Sequence, residues 1–561
     1  MSIVDILHAV FFLGSLLILA PLLGNYMARV YQNRKHPLGF LKPVERLFYK
    51  ILRIDQEKPM TWKVYAIAVA AFSVVSLAVL YGILMLQEWL PFNPQHFKGM
   101  SWDLALNTTV SFVTNTNWQN YSGEASLSYF SQMAGLTVQN FLSAAVGMSV
   151  VLVLIRGLIH KKQDSEKADV GLGNFWVDMT KSVLYILLPL SIVVSGFLIG
   201  QGVVQNLNPY NTATTFEGKE QVIPMGPAAS QIAIKQLGTN GGGFFGTNST
   251  HPFENPTPFS NYIEWLSIIL IAAAYPFMYG RMIGNKKQGR VLFTVMFVFL
   301  LAGLVASLVS EYKYGTMEGK EMRFGILDSV FWSTTTTVTS NGSVNAMHDS
   351  LSPLTGMVAL INMMLGEVIF GGVGCGLYGM LAFVVLSVFI CGLMVGRSPE
   401  YLGKKIESFE VKLSILIVII PTALALIFTA IGVLLPVGLA ARSNPGPHGL
   451  SEILYGFASP AGNNGSAFAG LNSNIPFYNV CQAVIMIISR FAIIFLILPI
   501  AGSFAGKKTI PPNEGTFQTD TKLFGGILAG VIIIIGGLNF FPVLTLGPIL
   551  EHLAMLRGII M

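Results

Sequence analysis

Apolar stretches of about 20 residues recur along this chain, and their length restricts the folds it can adopt. Such a stretch spans the hydrocarbon core of a bilayer as a helix, because a helix pairs its backbone polar groups internally. The composition agrees, since 53% of the residues are apolar and only 11% are charged. We predict an all-α polytopic membrane protein with about ten transmembrane helices. They are 3–23, 63–86, 128–155, 182–204, 262–280, 291–311, 354–396 (one broken element), 413–435, 476–501 and 523–547.

Four short polar segments lie between these runs and share one local pattern. Each has a small or amide residue, then Asn, then Gly or Thr. Glycines and hydroxyl residues let backbone carbonyls turn toward a common axis, and rings of such oxygens can replace the hydration shell of a cation. Any one segment is also consistent with an external loop, but the fourfold recurrence favours a pore. The segments are Thr114-Asn115-Thr116, Thr239-Asn240-Gly241, Ser340-Asn341-Gly342 and Asn463-Asn464-Gly465.

A partly apolar stretch precedes each polar segment and is predicted to be a short helix that enters the membrane halfway. Asp103 and Asp328 lie near the starts of two of these helices, where a carboxylate suits the unpaired N–H groups and the positive end of the helix dipole. The negative ends then point toward the polar segments and favour a cation. The predicted short helices are 103–113, 228–237, 327–338 and 451–457.

Helix, pore segment and helix form a unit that is repeated four times, with one additional helix at each end of the chain. We therefore predict four fused units plus flanking first and last helices. The predicted boundaries are 1–62 for the first helix and a basic loop, 63–158, 182–290, 291–396 and 411–503 for units 1 to 4, and 522–561 for the last helix.

Lysine and arginine residues are concentrated in one of the two alternating sets of loops. This set holds most of the 34 basic residues, so the positive-inside rule places it in the cytoplasm and places the polar segments and both termini outside. Asp5 but no basic residue precedes the first apolar run, which favours an uncleaved helix over a secretory signal. The basic segment 29–63 is consistent both with topology determination and with binding of anionic lipid headgroups.

The run 354–396 is too long for one span and contains a cluster of glycines next to Glu367. Irregular backbone at mid-membrane is tolerated only where it is buried in protein or lines a water-filled cavity, so we predict a loop beneath the polar segments. Glu367 and Arg490 each cost about 2.5–3.5 kcal/mol at a helix centre, and such residues are usually functional. Two roles are consistent with Arg490: it supports the broken helix through hydrogen bonds, and its charge opposes ion leakage.

Other chemistry is not indicated by the sequence. The three cysteines and eight histidines lack disulfide or metal-site spacing, so we expect no metal beyond a transported ion. The G-x-G-x-x-G pattern at 374–379 lies in an apolar membrane run rather than in a strand-to-helix turn. Because the sequence has no Asp-Lys-Thr-Gly phosphorylation motif and no complete Walker loop, we expect no catalytic site and no cofactor. The formal charge of +6 resides in loops, so no nucleic acid is expected as a partner.

Four stretches of the chain resemble the filter regions of the A subunit of Kdp-type potassium-transporting ATPases. The resemblance implies four potassium-channel pore units fused in one chain, with potassium as the only metal, in a bacterial inner-membrane complex for high-affinity potassium import. It also implies a P-type ATPase B subunit, a C subunit and a small F subunit as partners. The stretches are SFVTNTNWQNYSGE (111–124), KQLGTNGGGFFGTNSTHPFENP (235–256), TTTTVTSNGSVNAM (334–347) and ASPAGNNGSAFAG (458–470).

The same resemblance assigns roles to individual residues. Gln119 is consistent with an ion-path carbonyl or a turn cap, and the resemblance favours the ion path. The loop that closes the direct route inward is assigned Glu367, Gly371, Gly372 and Gly374, with Arg490. The implied filter consists of Thr114, Asn115, Thr116, Gln119, Gly238, Thr239, Asn240, Gly241, Ser340, Asn341, Gly342, Asn463, Asn464 and Gly465.

Two functions other than a subunit of a potassium pump are also consistent with the sequence. One is a passive or ion-coupled potassium transporter of the same superfamily, and the additional terminal helices and the glycine-rich break favour the pump over it. The other is a membrane-embedded enzyme, which is disfavoured because the sequence clusters no His, Asp and Cys residues.

Overall fold

A computed structural model describes residues 2–162, 170–396, 398–511 and 516–558. Within these ranges ten helices are long and apolar enough to cross a membrane, as the sequence predicted. We number them spans 1 to 10: Ile3–Tyr31, Trp62–Trp89, Ser131–Ile159, Phe175–Gly200, Pro258–Met282, Lys286–Tyr314, Cys375–Met394, Ser408–Leu434, Pro476–Ala505 and Lys522–Leu556.

Spans 1 and 4 extend beyond the predicted bounds because their polar ends pack inside the protein. Span 1 continues past residue 23 to Tyr31, whose hydroxyl lies 2.9 Å from Ser182 Oγ. Span 4 begins at Phe175, and the Asp178 carboxylate in its first turn accepts a hydrogen bond of 2.6 Å from Arg156 of span 3. Hydropathy alone excludes such residues from a span, although a paired charge is tolerated there.

Four short helices lie between successive pairs of spans, at the predicted places. Three of them start and end within two residues of the prediction: Trp102–Val113, Ala228–Leu237 and Gly325–Val338. The fourth, Gly446–Ala461, starts five residues before the predicted Ser451. Pro447 lies in the first turn of this helix, where the N–H that proline lacks would have no partner within the helix. The residues before Ser451, which are typical of a loop in sequence, therefore form the start of the helix.

The long run 354–396 is broken as predicted. A helix over Pro353–Met364 ends before the loop 365–374, and span 7 begins at Cys375. Gly374 has φ +85°, and a Cβ there would lie 2.3 Å from the Gly147 carbonyl oxygen of span 3, so this tight approach requires glycine. The loop is thus fixed against a neighbouring span.

The remaining elements lie at the two ends of the bundle. A helix over Lys42–Ile51 occupies the basic segment after span 1. An antiparallel hairpin pairs Asn211–Thr214 with Glu220–Ile223, with Asn211 opposite Ile223. A second, two-residue hairpin pairs Glu400–Tyr401 with Lys404–Lys405.

Burial separates the spans into two layers. In spans 3, 5, 7 and 9, each of which follows a short helix, 83, 78, 72 and 50% of the most apolar stretch is buried. In spans 2, 4, 6 and 8, each of which precedes a short helix, the corresponding share is 33 to 39%. The second helix of each pair therefore forms an inner layer and the first an outer layer, with the short helices and polar segments enclosed between them.

Candidate functional site

The four short helices end in the same backbone turn, which gives four equivalent segments of four residues. We define segments 1 to 4 as 114–117, 238–241, 339–342 and 462–465. The first residue of each donates its N–H to the carbonyl four positions back, at 2.7 to 3.1 Å. The third residue donates to the carbonyl five positions back: Thr116 to Ser111 (2.9 Å), Asn240 to Lys235 (2.8 Å), Asn341 to Thr336 (3.0 Å) and Asn464 to Ser459 (2.9 Å).

The handedness of the backbone follows the same order in every segment. The second residues, Asn115, Thr239, Ser340 and Asn463, have φ of +65°, +48°, +50° and +47°. The fourth residues, Asn117, Gly241, Gly342 and Gly465, have φ of +56°, +82°, +97° and +99°. Three glycines and one asparagine therefore occupy one structural position, in a conformation that these two residue types tolerate best.

This equivalence corrects the register taken from the sequence pattern. Matching Asn115 with the asparagines of the other segments is wrong by one residue, because Thr116 takes their place. The sequence pattern aligned the segments by residue type. Their structural equivalence is defined instead by which positions have a positive φ, and asparagine and glycine do not occupy the same positions in every segment. Sequence reasoning consequently missed Asn117, Thr339 and Gly462 as members of the segments.

The segments pack against one another in a closed ring. The fourth residue of each of segments 2, 3 and 4 lies against the third residue of the next, and only glycine fits there. A Cβ at Gly241 would lie 2.0 Å from the Asn341 carbonyl oxygen, at Gly342 2.2 Å from that of Asn464, and at Gly465 2.1 Å from that of Thr116. Segments 1 and 2 close the ring, since a Cβ at Gly242 would lie 2.9 Å from the Asn117 Cβ.

Amide side chains bridge the joints of this ring. Asn341 Nδ2 donates to the Lys235 carbonyl at 3.1 Å, and Asn464 Nδ2 makes the equivalent contact one joint further on, to Thr336 at 2.7 Å. Between segments 1 and 2, Asn115 Nδ2 donates to the Thr239 carbonyl at 2.9 Å. These asparagines therefore hold neighbouring segments together through their side chains.

Gln119 also closes the joint between segments 1 and 2. Its Nε2 donates to the Gly243 carbonyl at 3.1 Å, and its Oε1 accepts from the Gly243 N–H at 2.9 Å. Both ends of the amide are thus hydrogen-bonded to the backbone of one residue. Gln119 also lines an open cavity of about 400 Å³ with Gly342 and Gly465 of the ring.

Two histidines near this outer cavity carry no positive charge at neutral pH. Burial lowers the pKa of His348 to about 4, and its Nδ1 lies 2.8 Å from the Tyr455 hydroxyl. Burial and the positive charge of Arg323 lower the pKa of His251 to about 4. Neither of these two imidazoles therefore places a positive charge beside the cavity at neutral pH.

A buried ion pair supports segment 2 from behind. Lys235 and Glu254 are both fully buried and paired, and Lys235 Nζ also donates to Asn248 Oδ1 at 3.0 Å. The equivalent positions in the short helices before segments 3 and 4 are Thr336 and Ser459, whose hydroxyls accept the N–H of the fourth residue at 2.9 Å. Sequence reasoning missed this pair, although a lysine inside a short apolar helix was the available signal.

The loop 365–374 lies directly beneath segments 2 and 3. The Val373 N–H donates to Thr239 Oγ1 at 3.0 Å, and the Gly371 N–H donates to the Val338 carbonyl at 2.9 Å. Glu367 Oε2 accepts from the Gly372 N–H at 2.9 Å. The loop is therefore hydrogen-bonded to the inner side of the ring.

Glu367 and Arg490 come together at this place. Arg490 Nη1 donates to Glu367 Oε1 at 3.1 Å, and the two side chains are only 5% and 9% exposed. A paired charge escapes most of the penalty of isolated burial, whereas loss of one partner leaves the other uncompensated. The pair joins span 9 to the broken helix.

One cluster beside the fourth short helix brings together side chains of the types that bind metals. Asp349, His448 and Glu452 offer ligand atoms within 4.8 Å of one another. Burial disfavours the charged imidazole of His448, but hydrogen bonds to Asp349 and Glu551 outweigh burial and raise its pKa to about 10. His448 therefore forms an ion-pair network with Asp349 and Glu551.

The fold of this chain is similar to that of a solved membrane protein structure. The chain is similar to the potassium transporter TrkH from Vibrio parahaemolyticus, with a TM-score of 0.51 and 15% sequence identity. The likeness covers 89% of this chain and 97% of that one. The two proteins share a fold, which confirms the predicted all-α polytopic class.

Sequence comparison shows the family of the chain. Residues 10–553 match the family model of the potassium-transporting ATPase A subunit. Proteins of Leptospira interrogans and Pseudomonas aeruginosa, each named a potassium-transporting ATPase potassium-binding subunit, are 52% identical to this chain over 98% of its length. The alignments cover 98% and 99% of those proteins. The chain belongs to the potassium-transporting ATPase A subunit family, as its motifs predicted.

Proposed function

We propose that this chain is the potassium-binding and translocating subunit of an ATP-driven potassium import complex. The closed ring of four equivalent segments carries this proposal. In each segment φ is positive at the second and fourth residues but not at the third, so the handedness of the backbone alternates. This alternation lets successive carbonyls face the same side. Four such segments around one axis supply the oxygen rings that replace the hydration shell of potassium.

The proposed filter keeps the residues assigned from the sequence and adds those that complete the segments. Side-chain amides hold the joints, so the ion is bound by the backbone carbonyls. The negative ends of the four short helices point toward the ring and favour a cation. The filter comprises Thr114, Asn115, Thr116, Asn117, Gly238, Thr239, Asn240, Gly241, Thr339, Ser340, Asn341, Gly342, Gly462, Asn463, Asn464 and Gly465, with Gln119 at its outer edge.

The inner loop has a separate proposed role. The loop 365–374, with Glu367, Gly371, Gly372 and Gly374, closes the direct route to the cytoplasm and diverts the ion sideways. Arg490 beneath the ring adds a fixed positive charge that opposes passage of a cation. On this proposal the units 63–158, 182–290, 291–396 and 411–503 form the pore, while 1–62 and 522–561 flank it.

ATP hydrolysis belongs to other chains of the proposed complex. The relatives from Leptospira interrogans and Pseudomonas aeruginosa carry names that make them subunits of a potassium-transporting ATPase. We assign catalysis to a P-type B subunit, with a C subunit and a small F subunit completing the assembly. This chain then needs no catalytic residue, cofactor or nucleic acid, and the lipid membrane is its environment.

Potassium-stimulated ATP hydrolysis by the purified native complex tests this function. Stimulation by potassium but not by sodium is expected, because rings of backbone carbonyls in potassium channels replace the hydration shell of potassium. The likeness to TrkH also suits a passive or ion-coupled transporter, which would purify without an ATPase subunit. Equal stimulation by sodium would remove the potassium assignment.

The proposed orientation places both termini outside the bacterial inner membrane. Cysteine introduced at the exposed Thr214 of the first hairpin should react with a membrane-impermeant thiol reagent in intact cells, and cysteine at the exposed Gln56 should not. Ser165, in the basic loop between spans 3 and 4, lies outside the described residues. Labelling of the chain with only its native cysteines, which all lie in membrane helices, gives the background. The reverse labelling pattern would invert the topology.

A further inference from the structure

A groove of about 530 Å³ opens between spans 6 and 10. Val291, Val295 and Val298 lie along one face of span 6, and the small residues Gly525 and Gly526 form the facing wall on span 10. A Cβ at Gly526 would meet no atom within 4 Å, so the absence of a side chain there keeps the groove open. The groove is an apolar slot on the outside of the bundle.

Positive charge collects at one end of this groove. Lys287, Arg290 and Lys522 line that end and are exposed. Within the described part of the chain, no carboxylate lies within 4.0 Å of their charged groups. Asp520 lies beside them and accepts a hydrogen bond of 3.2 Å from Asn285. Three cations against one carboxylate leave an excess of positive charge at the entrance.

The length of the groove indicates what fills it. Lys287 and Val298 are eleven residues apart on span 6, which corresponds to about 16 Å along a helix. This is close to half of the hydrocarbon core, which is about 30 Å thick, so the groove serves one leaflet. A partner's transmembrane helix would require a groove through the full thickness, whereas a lipid chain requires one leaflet only.

We propose that this groove binds one anionic phospholipid, with its phosphate between Lys287, Arg290 and Lys522 and an acyl chain against the valines and Gly526. Charge complementarity selects an anionic headgroup, and the apolar slot holds the chain. The site goes beyond the proposed transport function and does not depend on it. The lipid belongs to the cytoplasmic leaflet in the orientation proposed above.

The test separates the charged end from the apolar slot. In one variant Gly526→Leu places a bulky side chain in the slot, and its Cβ would lie more than 4 Å from any other protein atom. In a second variant Lys287→Gln and Lys522→Gln remove two of the three charges. The control carries Lys63→Gln and Lys412→Gln, which remove two exposed charges at the same ends of spans 2 and 8.

Native mass spectrometry of the purified complex measures the lipid retained after incubation with phosphatidylglycerol or phosphatidylcholine. We expect one phosphatidylglycerol per complex, at least about tenfold less in both groove variants, and unchanged retention in the control. Equal retention of phosphatidylcholine, or undiminished retention in Gly526→Leu, would overturn the site. Crosslinking of a cysteine at Ala529 to another subunit would likewise overturn it, because a partner chain would then cover the groove.

Discussion

Replacement of Gly342 or Gly465 by alanine should weaken the apparent potassium affinity of the transport complex by about tenfold to hundredfold. An added Cβ would lie 2.2 Å or 2.1 Å from a carbonyl oxygen of the next segment, so the ring must open at that joint. The left-handed φ adds strain of about 1–3 kcal/mol for a residue other than glycine, and 1.4 kcal/mol is tenfold in affinity. Serine and aspartate should weaken binding further and relax discrimination against sodium and rubidium.

A matched control is Gly196→Ala in span 4, where a Cβ would meet no atom within 4 Å. This variant should bind potassium normally, since alanine is favoured over glycine in a helix. The measurement is the potassium dependence of ATP hydrolysis, with size-exclusion chromatography to verify assembly. If both ring variants assembled with unchanged affinity, these glycines would be no part of the filter.

Much of the fold can be read from the sequence because the bilayer leaves few alternatives. A 20-residue apolar run has to be a helix, so ten spans and their order follow directly. The break in 354–396 is also predictable, since glycines and Glu367 inside such a run are tolerated only in a buried loop. The start of the fourth short helix at Gly446 was not predicted, because Pro447 is typical of both a loop and a first helical turn.

The site is less predictable because its geometry depends on backbone handedness and on distant partners. Asn115 matched the asparagine pattern, yet its φ places it with Thr239 rather than with Asn240. No local pattern distinguishes these positions. Similarly, hydropathy gave the depth of Arg490 but not its partner, which lies 123 positions away in sequence. Such pairings require the packed bundle.

The fourth positions of the ring hold one asparagine and three glycines, and the asparagine side chain has a partner outside the ring. Asn117 carries a Cβ where the other segments have none, and its Nδ2 donates to Asn140 Oδ1 of span 3 at 3.0 Å. Its side chain is therefore directed to the inner layer of spans rather than to the next segment. The fourfold symmetry of the backbone is thus kept while the side chains differ, which a single chain permits and four identical chains would not.

Replacement of Arg490 by glutamine should uncouple ATP hydrolysis from potassium uptake. The change removes the fixed charge beneath the ring and leaves the nearly buried Glu367 without its partner. Breaking a buried ion pair on one side costs about 3–5 kcal/mol, which is enough to displace the loop 365–374 that closes the inward route. The measurement is ATP hydrolysed per potassium ion taken up in proteoliposomes, together with passive potassium efflux.

A double variant, Glu367→Gln with Arg490→Gln, separates electrostatics from packing. It removes both charges, so the loop is no longer strained by an unpaired carboxylate and assembly should recover. If the arginine charge opposes leakage, the assembled double variant should still leak. The control is Arg156→Gln with Asp178→Gln, which removes the ion pair between spans 3 and 4, away from the ring, and should leave coupling unchanged. An assembled Arg490→Gln complex with a normal ratio and no efflux would exclude the gating role and leave Arg490 as a packing anchor.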